Sequence, residues 1–310
     1  MKKNKKRILK ISITILAVLL IADIGATFYF YNIASVRNNN PISQVAKTSP
    51  NYPLVEKFDQ LKKSTLTIEN DGLKLDAWYV PAAQKTDKTV IVVHGFREDK
   101  SNMRQYGELF HELGYNVLMP DNRGHGESQG DMITYGYKDK YDVIKWAQLL
   151  EKNDPHVSTT LFGVSMGGGT VMMASGESSL PSSVKNIIED CGYSNVFDEL
   201  SFQAKAQYGI PKFPLLYSVS LMNKIRQGWY YQQGSSTDEL AKDKLPILLI
   251  HGSADTYVPT YMLDINYNAV KSGTPKEKLE VKGATHAKSF ETDPSLYRKT
   301  VSDFMNQYNK

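Results

Sequence analysis

The chain has 310 residues, 41% of them hydrophobic and 23% charged. That composition fits a globular protein with one large domain or two ordinary ones, and it excludes a disordered tail and a polytopic membrane protein. A single cysteine, Cys191, excludes an intrachain disulfide framework and a multi-cysteine zinc site. The net charge of +4 is local: residues 1–10 hold six basic side chains and no acid, so the other 300 residues carry 31 basic and 33 acidic groups. A body that leans acidic gives no expectation of a nucleic-acid partner.

After the basic run comes ISITILAVLLIADIGATFYFY, residues Ile11–Tyr31, in which Asp23 is the only charge. About 20 apolar residues cross a bilayer as a helix. The preceding lysines and arginine set the amino terminus in the cytoplasm, and the Phe28–Tyr31 cluster suits the far interface. Residues 1–35 are therefore expected to be a cytoplasmic basic run plus a membrane anchor through 11–31, with the rest of the chain outside the cytoplasm. The rival expectation is a cleaved signal peptide with h-region 11–22, ending at Ala22 or Ala26, and a secreted product. Neither alanine has a small residue two positions before it. Residues 36–60, with Asn38–Asn40, Pro41, Pro50 and Pro53, look like a linker.

From residue 61 the pattern changes. Alternating segments 65–69 and 73–80 flank Asn70-Asp71-Gly72, a hairpin signal. Apolar β-type runs follow at Thr89–Val93, Tyr115–Met119, Thr159–Val164, Val184–Glu189, Ile247–Ile250 and Lys278–Val281. Helix-like stretches separate them near 103–113, 138–151, 166–176, 260–271 and 295–308. Apolar strands alternating with helices predict an α/β domain over 61–310, with a mostly parallel, doubly wound sheet. Residues 192–243 are too long for a simple crossover and are rich in aromatics, among them Phe197, Tyr208, Phe213, Tyr217 and Trp229. A connection of that length carries its own structure, and a lid is expected there.

The chemistry gathers at strand ends. Gly163-Val164-Ser165-Met166-Gly167 is a G-x-S-x-G between a β-run and a helix-like stretch. That context marks a nucleophile elbow, where small residues on either side let the backbone turn sharply and expose the serine hydroxyl. His251–Pro259 follows the strand at 247–250 and contains Asp255; Gly283-Ala284-Thr285-His286 follows the strand at 278–281. The order Ser165, Asp255, His286, each on a loop after a strand, predicts a catalytic triad: His286 takes the serine proton and Asp255 orients the imidazole. Asp190, after the 184–189 strand, is the alternative acid, with Glu189 behind it. Oxyanion-hole donors are expected from the backbone N–H groups of Met166 and of Phe96 in His94-Gly95-Phe96-Arg97, with Arg97 the second choice. His94 and His251 read as turn or packing residues. His125, in the loop Asp121–Ser128, reads as a buttress of the site, and His111 and His156 as surface positions. An imidazole base predicts activity that falls below about pH 6.

Together HGF (94–96), DNRGHGES (121–128), GVSMGG (163–168), HGSADTYVP (251–259) and ATH (284–286) resemble the alpha/beta-hydrolase superfamily, in particular its bacterial membrane-anchored members. The resemblance covers about residues 65–308. It implies a sheet of about eight strands with a helical lid after the sixth. It also implies a serine carboxylesterase acting through an acyl-enzyme on a small-molecule ester or acyl substrate, with a peptidase, amidase or acyltransferase as alternatives on the same fold. A serine at the elbow speaks against a dehalogenase, which uses aspartate there. An inactive scaffold is the reading from another class, and a Ser165→Ala chain that keeps its biological role would favour it. No P-loop, dinucleotide fingerprint or metal cluster occurs in the sequence, so no cofactor or metal is expected. Acyl chain length and oligomeric state are not legible at this level.

Overall fold

A computed structural model describes residues 2–38 and 45–309. Eight strands form one sheet: β1 (Ser64–Asn70), β2 (Leu73–Val80), β3 (Lys88–Val93), β4 (Asn116–Pro120), β5 (Ser158–Val164), β6 (Val184–Asp190), β7 (Ile247–Gly252) and β8 (Lys276–Val281). Their order is β1-β2-β4-β3-β5-β6-β7-β8. Strand β2 is antiparallel to both β1 and β4, and the remaining pairings are parallel. The β1–β2 hairpin turns through Asp71 and Gly72, both at positive φ (52° and 73°). The mostly parallel, doubly wound sheet inferred from the sequence is the sheet observed, and each β-type run lies on a strand.

The helices are α1 (Lys2–Ser35), α2 (Tyr52–Gln60), α3 (Arg104–Glu112), α4 (Asp139–Asn153), α5 (Met166–Ser175), α6 (Val196–Tyr208), α7 (Leu215–Gln227), α8 (Ser236–Leu240), α9 (Tyr261–Ala269), α10 (Ser289–Thr292) and α11 (Pro294–Tyr308). The central strands are apolar without alternation because both faces are covered. Along β3, Val90 and Val92 join one core cluster with residues of α2, α3 and α11; Ile91 and Val93 join the other with residues of α4, α5 and α9. Helices thus flank the sheet on both sides.

Helix α2 lies in the stretch read as a linker. Pro53 occupies its first turn, where a missing N–H costs nothing and the fixed φ favours a helix. Its Phe58 is fully buried beside Gly107 of α3, where an added Cβ would stand 2.6 Å from that ring. Between β6 and β7, residues of 192–243 fold into α6, α7, a 3-10 turn (Tyr231–Gln233) and α8, in the place where a lid was expected. The Asn195 side chain caps α6 by accepting the Phe197 N–H (2.8 Å). Gly209 and Gly228 end α6 and α7 in the left-handed conformation, at φ 65° and 87°.

Helix α1 is long and apolar enough to cross a membrane. Its side chains from Ile8 to Ile21 are exposed, yet Tyr31 and Ser35 at its end are buried. Ser35 hydrogen-bonds with the Tyr231 hydroxyl of the lid, and the Ser218 hydroxyl of α7 donates to Asp23 at 2.7 Å. The last turns of α1 therefore pack into the folded body.

Candidate active site

Ser165 sits between β5 and α5 with φ 57° and ψ −117°, a conformation that strains a residue with a side chain. The surroundings hold it there. Its N–H donates to the Asp190 carbonyl at 2.8 Å. A Cβ on Gly163 would lie 2.2 Å from the Gly167 carbonyl oxygen, and one on Gly167 would lie 2.1 Å from that of Val93. The two glycines are thus fixed by close backbone approach across the turn. Ser165 Oγ lies 2.8 Å from His286 Nε2.

His286 Nδ1 lies 2.8 Å from Asp255 Oδ2. Asp255 is buried, and its Oδ1 accepts the N–H groups of Tyr257 (2.8 Å) and Val258 (3.0 Å). Burial pushes its pKa up, but hydrogen bonds from His251 and His286 outweigh this and hold it down at about 2. The residues read from sequence as a triad are therefore brought into one hydrogen-bonded line. Asp190, the alternative acid, is fully buried and accepts from the Tyr297 hydroxyl (3.0 Å), while its main chain supports Ser165. Burial raises its pKa to about 6. Glu189 is also fully buried; it accepts the Gly192 N–H (2.7 Å), and burial raises it to about 8.

Met166 opens α5, so its N–H belongs to the first turn, which has no intrahelical acceptor. In the loop after β3 the Gly95 N–H goes to Glu98 (3.0 Å) and the Arg97 N–H to His125 Nε2 (3.3 Å). That leaves the Phe96 N–H as the amide of this tripeptide without a protein acceptor among the described residues. The Phe96 ring stacks on Tyr135, with centroids 5.4 Å apart. His125 is buried against His94, with ring centroids 5.0 Å apart, and burial lowers its pKa to about 3. His94 is lowered to about 4, also by burial, and accepts the Asn122 N–H at 2.9 Å. Both histidines are neutral props of the loop.

Ser165 lines two cavities. The first, of about 320 Å³, lies between Phe96, Met166, lid residues such as Leu200 and Leu216, and Phe30 and Ile33 at the end of α1. The second, of about 300 Å³, lies on the His286 side and is bounded by Glu98, Tyr106 and Lys288. Three residues near the line were given no part in the site by the sequence, His251 having been read as a turn or packing residue. His251, fully buried, has Nε2 at 3.3 Å from Asp255 Oδ2 and 2.9 Å from the Val258 carbonyl. Burial alone would lower its pKa, but Asp255 and Glu189 raise it. The Tyr257 ring covers His286, with centroids 4.8 Å apart. Glu199 of α6 borders the first cavity and accepts from Gln203 (2.8 Å); its Oε2 has no partner, and burial raises its pKa to about 8. Cys191 comes within 4.8 Å of the Asp255 and His286 ligand atoms. Burial pushes its thiol well above the usual range, and Asp255 and His286 already bond each other, so this donor set suits packing rather than metal ligation.

Residues 84–188, spanning β3 to most of β6 with the Ser165 turn, match the family model described as serine aminopeptidase, S33. The uncharacterized protein YqkD of Bacillus subtilis is 30% identical over 265 residues, which is 85% of this chain and 86% of that protein. The chain belongs to the alpha/beta-hydrolase family. Among solved structures, an esterase of Pyrococcus furiosus superposes with a TM-score of 0.69 at 22% identity, over 89% of this chain and 99% of the esterase. The acylaminoacyl peptidase of Pyrococcus horikoshii superposes with a TM-score of 0.61 at 19% identity, over 82% of this chain and 43% of the peptidase. Both likenesses concern the fold.

Proposed function

We propose that this alpha/beta hydrolase cleaves carboxylic esters through an acyl-enzyme on Ser165. The observation that carries the reading is the unbroken line Ser165 Oγ, His286 Nε2, His286 Nδ1, Asp255 Oδ2, with both links at 2.8 Å, at the junction of two cavities. Ser165 Oγ attacks the ester carbonyl carbon as its proton passes to His286 Nε2. Asp255, ionised at any pH well above 2, stabilises the imidazolium. The carbonyl oxygen gains charge opposite the Met166 and Phe96 N–H groups. Loss of one such donor typically costs about 2.7–4 kcal/mol. The tetrahedral intermediate collapses, His286 returns the proton to the departing alcohol, and the acyl group remains on Ser165. Water then repeats the sequence: His286 takes its proton, the acid leaves, and Ser165 Oγ is reprotonated. Two cavities meeting at Ser165 suit an acyl group on one side and an alcohol on the other.

Peptide or amide cleavage is the second reading, since the matched family model and the Pyrococcus horikoshii neighbour carry peptidase names. Initial rates on p-nitrophenyl esters beside an aminoacyl p-nitroanilide separate the two. Ser165→Ala is expected to lower kcat on the preferred ester at least ~1000-fold, because the three groups act as a unit. A tenfold loss would sink the assignment. The helix α1 is proposed to anchor the chain through 11–31 with the hydrolase body outside the cytoplasm; signal cleavage at Ala22 or Ala26 is the alternative.

A further inference from the structure

The end of α1 reaches the candidate site. Arg97, next to the proposed oxyanion donor Phe96, sends its guanidinium to the Ile33 carbonyl at 2.6 Å. Tyr135, stacked under Phe96, donates its hydroxyl to the Ala34 carbonyl. Arg37, just beyond the helix, donates to the Ser128 carbonyl (2.7 Å) in the buttressing loop. Phe30, Ile33 and Ala34 form the wall of the 320 Å³ cavity that faces α6 and α7. One helix is therefore both apolar enough to cross a membrane and part of the wall beside Ser165.

The rim of that cavity is aromatic and exposed where α1 meets the lid. Tyr208, which borders the cavity, packs edge-on against Phe30, which in turn contacts Tyr29 (centroids 5.2 and 5.1 Å). Phe28, Tyr29, Tyr208, Phe213 and Tyr217 are all exposed, Phe213 at 74%. Helix α7 runs alongside α1, with Ser218 at Asp23 and Gln227 at Tyr31. Its Tyr217, Leu221 and Ile225 form an exposed apolar stripe at a spacing of four, next to the face that meets α1. A belt of aromatic side chains at the end of an apolar helix is the signature of a membrane–water interface. The apolar stripe continues the exposed apolar surface of α1, so the occupant that fits it is the bilayer.

We propose that the substrate is an amphiphilic acyl ester taken from the lipid phase, its acyl chain entering the cavity between the lid and the end of α1, with Phe30, Ile33 and Ala34 setting the chain length. This rests on the esterase reading above. The test uses the full chain reconstituted in vesicles of phosphatidylcholine and phosphatidylglycerol, with p-nitrophenyl esters from acetate to palmitate. The wild-type palmitate-to-acetate rate ratio is expected to exceed one. Ile33→Trp, which fills the cavity, should lower that ratio at least tenfold, whereas Ile15→Trp in the exposed part of α1 should not move it. Where Ile33→Trp fails to fold, Ile33→Ala carries the test and should shift the optimum to longer chains. Phe213→Glu with Tyr217→Glu should lower the ratio at least fivefold. An acetate optimum in the wild type, or a ratio indifferent to every substitution at Ile33, overturns the proposal and leaves the esterase reading standing. No turnover of any ester by the wild type overturns both.

Discussion

At the scale of single residues, the elbow around Ser165 depends on what its neighbours lack. Gly167→Ala would place a methyl 2.1 Å from the Val93 carbonyl oxygen, so backbone must move. A loss of stability on the order of 3 kcal/mol or more is expected, read from chemical denaturation of wild type and variant. Unchanged stability would mean that the turn has room for a methyl group. Two buried carboxyls give opposite pH signatures. Asp255, held at about 2 against burial chiefly by His251 and His286, stabilises the fold above pH 4, and that contribution is lost as pH falls toward 2. Glu199, raised to about 8 by burial, binds its proton more tightly folded than unfolded. Its contribution is present below about pH 4 and is lost as pH rises to 8. Glu199→Gln should therefore gain melting temperature relative to wild type as pH goes from 5 to 8. A constant difference across that window would show that Glu199 does not change its ionisation on folding.

Elements were legible where their physics is local. The central strands are apolar runs closed by turn residues, β1 and β2 alternate about a turn, and the parallel sheet follows from the helices between the runs. The helices of 192–243 have local signals too, Asn195 as a cap and Gly209 and Gly228 as stops. Helix α2 was hidden by Pro50 before it and Pro53 within it, since proline punctuates a loop in one context and starts a helix in another. Its anchor is Phe58, and Phe58→Ala should cost about 3–5 kcal/mol. The docking of α1 was not legible at all, because Ser35 to Tyr231 and Ile33 to Arg97 are contacts between distant segments. A chain lacking residues 1–35 is expected to lose order in the lid and to be cut by trypsin within 196–227 sooner than the full chain. Equal protection in both would make α1 an appendage.

Across the whole molecule, the candidate site was legible in one local motif, the G-x-S-x-G around Ser165, and in order: a serine, an acid and a histidine on loops after β5, β7 and β8 of a parallel sheet must arrive at one edge. What order could not supply was the second tier. His251 lies at the end of β7, Tyr257 in the loop after it and Glu199 on α6, and their proximity depends on how loop and lid fold back over the sheet. The charge segregation also has a consequence at this scale. On the proposed topology, with the basic run inside and the body outside, the full chain should stay with membranes through alkaline carbonate and leave only with detergent, its intact mass including residues 1–35. A mature chain starting at Asp23 or Thr27 would mark cleavage of a signal peptide.

The most direct measurement is the site of covalent capture by a fluorophosphonate, whose phosphorus is attacked by an activated serine hydroxyl with loss of fluoride. Intact mass and peptide mapping of the labelled full chain should show one adduct, on Ser165, and His286→Ala should abolish it. An adduct on another residue, or equal labelling in the His286→Ala chain, would contradict the hydrolase mechanism proposed for Ser165, His286 and Asp255.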